Sequence, residues 1–368
     1  MSPANSFGST FVITLIGESH GRLVGVVLDG VPAGYAIDLE SINKEMDRRK
    51  PGQSKVTTIR AEEDRVECLS GIFNGKTTGA PVTLVTWNKD ADSSAYEKFK
   101  NLPRPGHADY TAMLRYGGFQ DYRGSGRFSG RLTAGLVMAG AFASQVFRAV
   151  LPVTIGAHAR EIAGIKHEGN VDVMKLRERV EQNPVRCYDA AIAKKMEEAI
   201  EKAQKDKDSV GGIVECIISG LPGGLGEPFF NSIESQLAHI VLSIGAVKGI
   251  EFGAGFGAAR LHGSEDNDPY VVDKDGTITT TSNNAGGILG GITTGAPIVF
   301  RVAIKPTSSI GKKQKTVDMA TKKPADLEYE GRHDPCIVPR AVPVVEAVSA
   351  IVVLDILLAA GVVPRIKR

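Results

Sequence analysis

The constraint that bears hardest on the fold is that the chain repeats itself. Gly71-Ile72-Phe73-Asn74-Gly75-Lys76-Thr77-Thr78-Gly79-Ala80-Pro81-Val82 recurs as Gly287-Ile288-Leu289-Gly290-Gly291-Ile292-Thr293-Thr294-Gly295-Ala296-Pro297-Ile298, with Thr-Thr-Gly-Ala-Pro identical in both copies. Each copy runs into a β-branched stretch, 82–87 and 298–304, of the kind that forms strands. Upstream, Val27-Leu28-Asp29-Gly30-Val31-Pro32 is echoed by Ile217-Ile218-Ser219-Gly220-Leu221-Pro222, and a helical pattern follows each, 39–49 and 233–244. Downstream, a loop rich in Arg and His precedes a long apolar helix twice: 104–131 then 132–150, and 332–340 then 341–360. The order strand pair, helix, strand pair, basic loop, buried helix therefore occurs twice.

This order predicts an α+β fold, a β-α-β sandwich with central helices between antiparallel sheets and an internal pseudo-two-fold repeat. Short Gly turns join neighbouring strands antiparallel, which argues against alternating βαβ units. The late helices are apolar nearly all round, as in Ala134-Gly135-Leu136-Val137-Met138-Ala139-Gly140-Ala141, and a helix of that kind is buried on every side. We read residues 1–368 as a single domain of two structural repeats, about 1–150 and 210–368, joined by a charged helical segment 170–209. Within that segment 189–208 has the Lys/Glu content of a solvated face.

Lys+Arg 44 against Asp+Glu 42 leaves a net charge of +2, too balanced for a surface devoted to nucleic acid or anionic membrane. Any basic surface must be local. Cys68, Cys187, Cys216 and Cys336 are far apart, without a C-x-x-C pair or adjacent histidines, so no metal site and no disulfide framework is expected. The N-terminus lacks the basic and apolar regions of a signal peptide. The apolar run 341–363 is interrupted by Pro343, Glu346 and Asp355, which reads as a core helix rather than a membrane span. A cytoplasmic protein is expected.

Gly17-Glu18-Ser19-His20-Gly21 matches the G-x-S-x-G nucleophile elbow of serine hydrolases, which requires strand, sharp turn and helix. Here the strand 11–16 is followed by another β-branched run, 23–28, so the motif sits at a hairpin bend. The residues offer either turn hydrogen bonds from Ser19 and His20 or a histidine facing a ligand.

Two basic loops follow: Arg104-Pro105-Gly106-His107-Ala108-Asp109, then Arg123-Gly124-Ser125-Gly126-Arg127-Phe128-Ser129-Gly130-Arg131 just before a helix. Arg123, Arg127 and Arg131, four apart among glycines, offer guanidinium forks beside backbone N–H groups, a combination suited to phosphate or carboxylate. The Walker A lysine spacing is absent. The second half adds Lys305-Pro306-Thr307-Ser308-Ser309 and Gly331-Arg332-His333-Asp334-Pro335 with Arg340. A polyanionic small molecule in a positively charged pocket is the expected ligand. A non-catalytic nucleotide- or RNA-binding protein is the competing class, and few aromatic stacking platforms stand near the loops to support it.

Together, Gly17 to Gly21, Arg104 to Asp109, Gly126 to Arg131, Gly286-Gly287-Ile288-Leu289-Gly290-Gly291, Lys305 to Ser309 and Gly331 to Pro335 resemble the chorismate synthase family, in the family's order and over essentially the whole chain. The resemblance implies a lyase of aromatic biosynthesis that removes phosphate and a ring proton, by anti-1,4-elimination, from 5-enolpyruvylshikimate 3-phosphate to give chorismate. It implies reduced FMN as cofactor without net redox change, and a homotetramer. Bifunctional relatives with their own NADPH-dependent reductase are usually longer, so an external flavin reductase or reductant is expected.

By the same resemblance Arg49, Lys55, Arg131, Arg332 and Arg340 would hold the substrate's carboxylates and phosphate. Arg127, Phe128, Ser129, Gly245, Ala246, Gly290, Lys305, Pro306, Thr307, Ser308, Ser309 and Arg332 would line the flavin. His20 is implied as the acid at the phosphate and His107 as its counterpart at the flavin. Asp334 would assist proton removal, with Ser19 and Ser129 ordering the relay. Phe128 and Leu132 stand where many relatives carry Ser and Glu, and Lys55 where they carry Arg, which keeps the charge and loses the bidentate fork.

Overall fold

The structure, a computed structural model, describes residues 4–50, 64–89, 94–328 and 334–367. Two antiparallel five-stranded sheets form its outer layers. In the first, the strands run Ser6–Phe7, Val12–Gly17, Leu23–Asp29, Val82–Trp87, Glu67–Ser70 from edge to edge. The second runs Val247–Phe252, Ile298–Ile304, Gly212–Ser219, Thr154–Ile162, Ile165–Lys166. The two halves match strand for strand at their centres: Leu23–Asp29 pairs with Val82–Trp87, and Gly212–Ser219 with Ile298–Ile304.

The helices are α1 (Leu39–Arg49), α2 (Asp109–Tyr116), α3 (Thr133–Arg148), α4 (Val173–Val180), α5 (Ala190–Lys205), α6 (Ile233–Leu242), the short α7 (Gly263–Asp266) and α8 (Val338–Ala359). α3 packs on the first sheet, α8 on the second, and the two pack on each other, with α1 and α6 filling the layer beside them. A residue at their crossing can carry no side chain: a Cβ on Gly140 would lie 2.3 Å from the Ala347 carbonyl oxygen. One continuous apolar cluster draws on both halves, from Phe11 and Leu84 to Phe300 and Leu357. Each such side chain contributes about 1.5–3 kcal/mol on burial.

The repeated Thr-Thr-Gly-Ala-Pro has a physical reason. Thr77 Oγ1 donates to the Pro32 carbonyl at 2.6 Å and accepts from the Tyr35 amide at 3.0 Å. Thr293 Oγ1 does the same with Pro222 and Leu225, at 2.8 and 2.9 Å. The threonine thus pins the strand-exit turn of each half to its hairpin. The hairpin turns also correspond, with Asn74-Gly75 (φ 50° and 72°) opposite Gly290-Gly291 (φ 61° and 84°). Both turns are left-handed at two successive residues, the geometry that calls for Asn-Gly or Gly-Gly.

α8 has 89% of its most apolar window buried inside the protein, so it is a core helix. Its two carboxylates are used internally. Glu346 pairs with Arg48 at 2.5 Å and accepts the Ala157 amide at 2.9 Å. Asp355 accepts the backbone amides of Ser9, Thr10 and Phe11 at 3.0, 2.6 and 2.7 Å, tying the N-terminal strands to the C-terminal helix. The charged segment 170–209 is two helices, α4 and α5, with Pro184 in the break between them. A proline cannot donate to a helix ladder there.

Candidate functional site

The segment Gly17 to Gly21 turns between two antiparallel strands, and no helix follows it. Asn88, one residue past the strand Val82–Trp87, holds this bend: its Nδ2 donates to the carbonyls of Glu18, Ser19 and Gly21 at 3.1, 3.0 and 2.8 Å. Ser19 and His20 are buried there, 8% and 6% exposed, and the Ser19 amide donates to the Gly126 carbonyl at 3.2 Å. The imidazole lies edge-on to Tyr96, ring centroids 5.1 Å apart. Its other face lies on Gly124, where a Cβ would come within 2.1 Å of His20 Cδ2 and 2.8 Å of Ser19 Oγ. Any side chain at Gly124 displaces the histidine.

Asn88 Oδ1 accepts from Arg131 Nε and Nη2 at 3.2 and 3.1 Å. Arg131 and Arg49 grip opposite oxygens of Asp64, each at 2.5 Å. Arg49, only 1% exposed, is the largest fully buried side chain of the described residues. Burial, outweighing the attraction of Asp64 and joined by repulsion from Arg340 and Arg131, pulls its guanidinium down to about 10. Burial would raise the Asp64 carboxyl, but the charges of Arg49 and Arg131 hold it below the usual range. Arg340 Nε donates to the Arg49 carbonyl at 3.2 Å, and Arg340 Nη1 pairs with Asp334.

His107 belongs to a tight turn whose amide returns to the Arg104 carbonyl at 3.1 Å. Its Nδ1 lies 2.8 Å from Asp109 Oδ1. Arg104, 5% exposed, clasps Asp109 with Nε on Oδ2 (2.8 Å) and Nη2 on Oδ1 (2.7 Å). Against the raising effect of burial, these hydrogen bonds from Arg104 and His107 hold the Asp109 carboxyl far below the usual range. Arg104 also reaches Ser125 Oγ at 2.8 Å and Ser309 Oγ at 3.1 Å. Ser125 sits at φ 70°, an unusual backbone for serine, between Gly124 and Gly126 at φ 56° and 50°. Such strain clusters where surrounding structure over-determines a conformation.

The loop from Lys305 to Ser309 closes the arrangement. Ser308 Oγ donates to the Gly106 carbonyl at 2.7 Å, and Thr307 Oγ1 to the Asp334 carbonyl at 3.1 Å. The Lys305 amide donates to the Ala246 carbonyl at 2.9 Å, and its Nζ to Ser308 Oγ at 2.7 Å. Burial and the charge of Lys248 lower the Lys305 ammonium, and no carboxylate of the described residues pairs with it. Gly245 has nothing within 4 Å of its would-be Cβ.

Asp334, Arg340, Arg49, Asp64, Arg131, Asn88, Ser19, Gly126 with its neighbour Ser125, Arg104 and the loop 305–309 thus make an unbroken ring, with His20 and His107 on it. Of the residues singled out in the sequence, Ser19, His20, Arg49, His107, Arg131, Lys305, Thr307, Ser308, Ser309, Asp334 and Arg340 are brought together in this way. Lys55 and Arg332 lie outside the described residues. Arg127 stands apart, donating to Tyr116 Oη at 3.0 Å and to Asn5 Oδ1, with the Phe128 ring tilted against Tyr116 at the same place, centroids 6.3 Å apart. Ser129 Oγ accepts the Arg131 amide at 3.2 Å, capping the next turn. Gly290 is accounted for by the left-handed hairpin turn. Of the three arginines spaced four apart, Arg123 is held within its own loop: Asp121, two residues earlier, takes its guanidinium at 2.9 and 2.8 Å. Sequence reasoning missed Asp64 and Asn88, which no motif marks, and the carboxylate role of Asp109, for which the His-x-Asp spacing at 107–109 was a signal.

Guanidiniums outnumbering carboxylates, with two histidines among them in an α+β fold, are the arrangement suited to an enzyme site for a small polyanion with proton transfer. Comparisons with known proteins narrow the class. The family model for chorismate synthase matches residues 11–358. A chorismate synthase of Dehalococcoides mccartyi is 53% identical over 370 residues, covering 99% of this chain and 100% of that protein. One of Archaeoglobus fulgidus is 53% identical over 361 residues (98% and 99%), and one of Methanocaldococcus jannaschii 48% over 368 residues (97% of each). A crystal structure of a chorismate synthase superposes with TM-score 0.76 at 28% identity, covering 96% of this chain and 93% of that one. The chain belongs to the chorismate synthase family, lyases of the shikimate pathway.

Proposed function

We propose that this protein converts 5-enolpyruvylshikimate 3-phosphate to chorismate by anti-1,4-elimination, with reduced FMN bound beside the substrate. The observation that carries the reading is the closed ring: it joins two histidines, four arginines and Asp334, drawn from both halves, around one site. Three guanidiniums packed against two carboxylates leave positive charge that only an anionic ligand offsets in a water-poor site. Arg49, Arg131 and Arg340 bind the substrate's carboxylates and phosphate, with Arg332 and Lys55 completing the set.

The donor chemistry also suits FMN. Lys305 and Lys248 repel one another without a carboxylate between them, a pair that a phosphate relieves. Open faces at Gly245 and Gly130 leave room for a flat ring against backbone. Lys305 to Ser309, Gly245 and Ala246, with Arg127, Phe128, Ser129 and Gly290 at the margins, would hold it, and by the family resemblance Arg332 would join them. When bound, reduced FMN supplies electron density that eases loss of phosphate and is recovered afterwards, so the reaction has no net redox change.

In the elimination the C–O bond to phosphate breaks, a ring proton leaves from the opposite face, and the C–H electron pair enters the new conjugated system. His20, fixed by Tyr96 and Gly124, protonates the departing phosphate oxygen. Asp334, held by Arg340, accepts the ring proton. His107 holds a proton on the flavin side, and Ser19 and Ser129 order the groups around the histidines. We place the enzyme in the cytoplasm as a homotetramer acting as one domain of two repeats, with its flavin reduced by an external reductase.

The test is anaerobic incubation with dithionite-reduced FMN and 5-enolpyruvylshikimate 3-phosphate, following phosphate release and the diene absorbance of chorismate. Turnover that depends on reduced flavin, and is lost in His20→Ala, is the expected result. Absence of phosphate release refutes the reading.

A further inference from the structure

We propose that Asp109 is the positioning residue of His107: it fixes the imidazole in the tautomer that carries hydrogen on Nδ1 and leaves Nε2 as the atom that exchanges protons. The inference rests on the proposed role of His107 and goes beyond it by assigning the atom and the group that selects it.

The argument is one of donors and acceptors. A carboxylate has only acceptors and a guanidinium only donors. Asp109 Oδ1 is 2.8 Å from His107 Nδ1, so that contact is a hydrogen bond only if Nδ1 bears the hydrogen. Arg104 Nη2 is also near Nδ1, at 3.2 Å, and would favour the opposite tautomer by donating to a bare Nδ1. Its shorter contacts lie elsewhere, to Asp109 Oδ1 at 2.7 Å and Ser125 Oγ at 2.8 Å. Asp109 therefore does two things: it accepts from Nδ1, and it occupies the guanidinium that would otherwise reverse the ring. With both its oxygens engaged by Arg104, and the Arg104 amide on Oδ2 at 2.9 Å, the carboxylate cannot swing away. The same fork is anchored on Ser309 of the second half, so the histidine's orientation is set by contacts from three separate loops.

The chemistry explains why the selection matters. A neutral imidazole has one bare nitrogen, and a proton relay works only if that nitrogen faces the reacting group. In serine proteases the wrong tautomer, made by replacing the orienting Asp with Asn, lowers turnover by about 10⁴.

The experiment uses the full-length protein labelled with ¹⁵N-histidine, the His107 signals being assigned by their loss in His107→Gln. The unaltered protein at a pH where the ring is neutral should show a pyrrole-type Nδ1 and a pyridine-type Nε2, and a pyridine-type Nδ1 overturns the proposal without any variant. In Asp109→Asn the tautomer should shift towards hydrogen on Nε2, and kcat should fall by about 10- to 1000-fold with KM little changed. Asp109→Glu should restore part of the loss. The double variant Asp109→Asn/His107→Gln should be no slower than His107→Gln alone. Multiplying effects in the double variant, or an unchanged tautomer and turnover in Asp109→Asn, refute the positioning role. Normal turnover in His107→Gln instead sinks the proposed role of His107 itself, and the kinetic half of this inference falls with it.

Discussion

Replacing Asp64 by Asn tests the electrostatic logic of the site. The side chain is nearly isosteric, but the charge shared by Arg49 and Arg131 disappears, and with it the group that holds their repulsion in check. Both contacts are 2.5 Å and the carboxylate is 6% exposed, so solvent does little to soften the loss. Breaking such a buried pair costs about 3–5 kcal/mol. Unfolding entropy near 2.1 cal/mol/K per residue scales to about 0.8 kcal/mol/K for 368 residues, so Tm should drop by about 4–6 °C. Inorganic phosphate should recover part of the deficit, because an anion now does what the carboxylate did: at ten times its Kd it returns about 1.4 kcal/mol, or close to 2 °C. Phosphate should stabilise the unaltered protein less.

The pH dependence has a definite sign. Arg49 is a base whose folded value is depressed to about 10, so the unfolded chain binds the extra proton and stability from this group rises with pH above 10. Asn at position 64 removes the attraction that raises Arg49, which extends this window to lower pH. The variant's deficit should therefore narrow as pH approaches 10. Scanning calorimetry with and without phosphate reads all three effects. A Tm within 1 °C of the unaltered protein, or equal phosphate stabilisation in both, refutes the claim that the arginines are crowded enough to demand an anion.

Gly124→Ala puts a methyl within 2.1 Å of His20 Cδ2 at a φ of +56°, so kcat should fall by about 10²-fold with circular dichroism unchanged, and near-normal turnover would show that His20 need not stand there. Lys305→Met removes a cation without a carboxylate partner among the described residues, and FMN affinity by fluorescence titration should weaken by about 10- to 100-fold, the worth of one charge-assisted hydrogen bond; an unchanged Kd excludes it from the phosphate site. Asp355→Asn takes the charge from the oxygen that the Thr10 and Phe11 amides share and puts a donor in place of Oδ2, the acceptor of the Ser9 amide and hydroxyl, so a loss of about 2–4 kcal/mol is expected, read by denaturant unfolding and by faster amide exchange at residues 9–11. Exchange as slow as in the unaltered protein would show that the tether is not what protects them.

The layered fold was legible because its causes are local and written twice. Thr77 and Thr293 each answer to a proline and a turn in their own half, so the duplication in sequence is a duplication of hydrogen bonds. The all-round apolar α3 and α8 could only go to the middle. The break between α4 and α5 was less visible, since Pro184 sits inside a segment whose charge pattern is helical on both sides. The site was legible as residue types and illegible as partners. Arg123 and Arg131 look alike in the sequence, four residues either side of Arg127, yet Asp121 holds one within its own loop and Asp64 draws the other in. Nothing in the spacing distinguishes them, because the deciding carboxylate of Arg131 stands 67 residues earlier in the chain. Asp109 shows the intermediate case: its distance from His107 is short in sequence, but its fork with Arg104, and Arg104's reach to Ser309, exist only once the halves meet.

The tether at Asp355 and the ring's closure at Arg340 also set a schedule. A nascent chain emerges N-terminus first, at about 5–20 residues per second, so roughly 10–50 s separate the appearance of His107 from that of α8. During that interval Ser9 to Phe11 have no carboxylate to dock on, and Arg49 has no Arg340 beneath it. A chain that stops short of its last helix carries both histidines and every arginine of the first half, and still has no site. Emergence of α8 is thereby the event that makes the protein competent, and a product cut short before it cannot hold the polyanion in a half-built pocket.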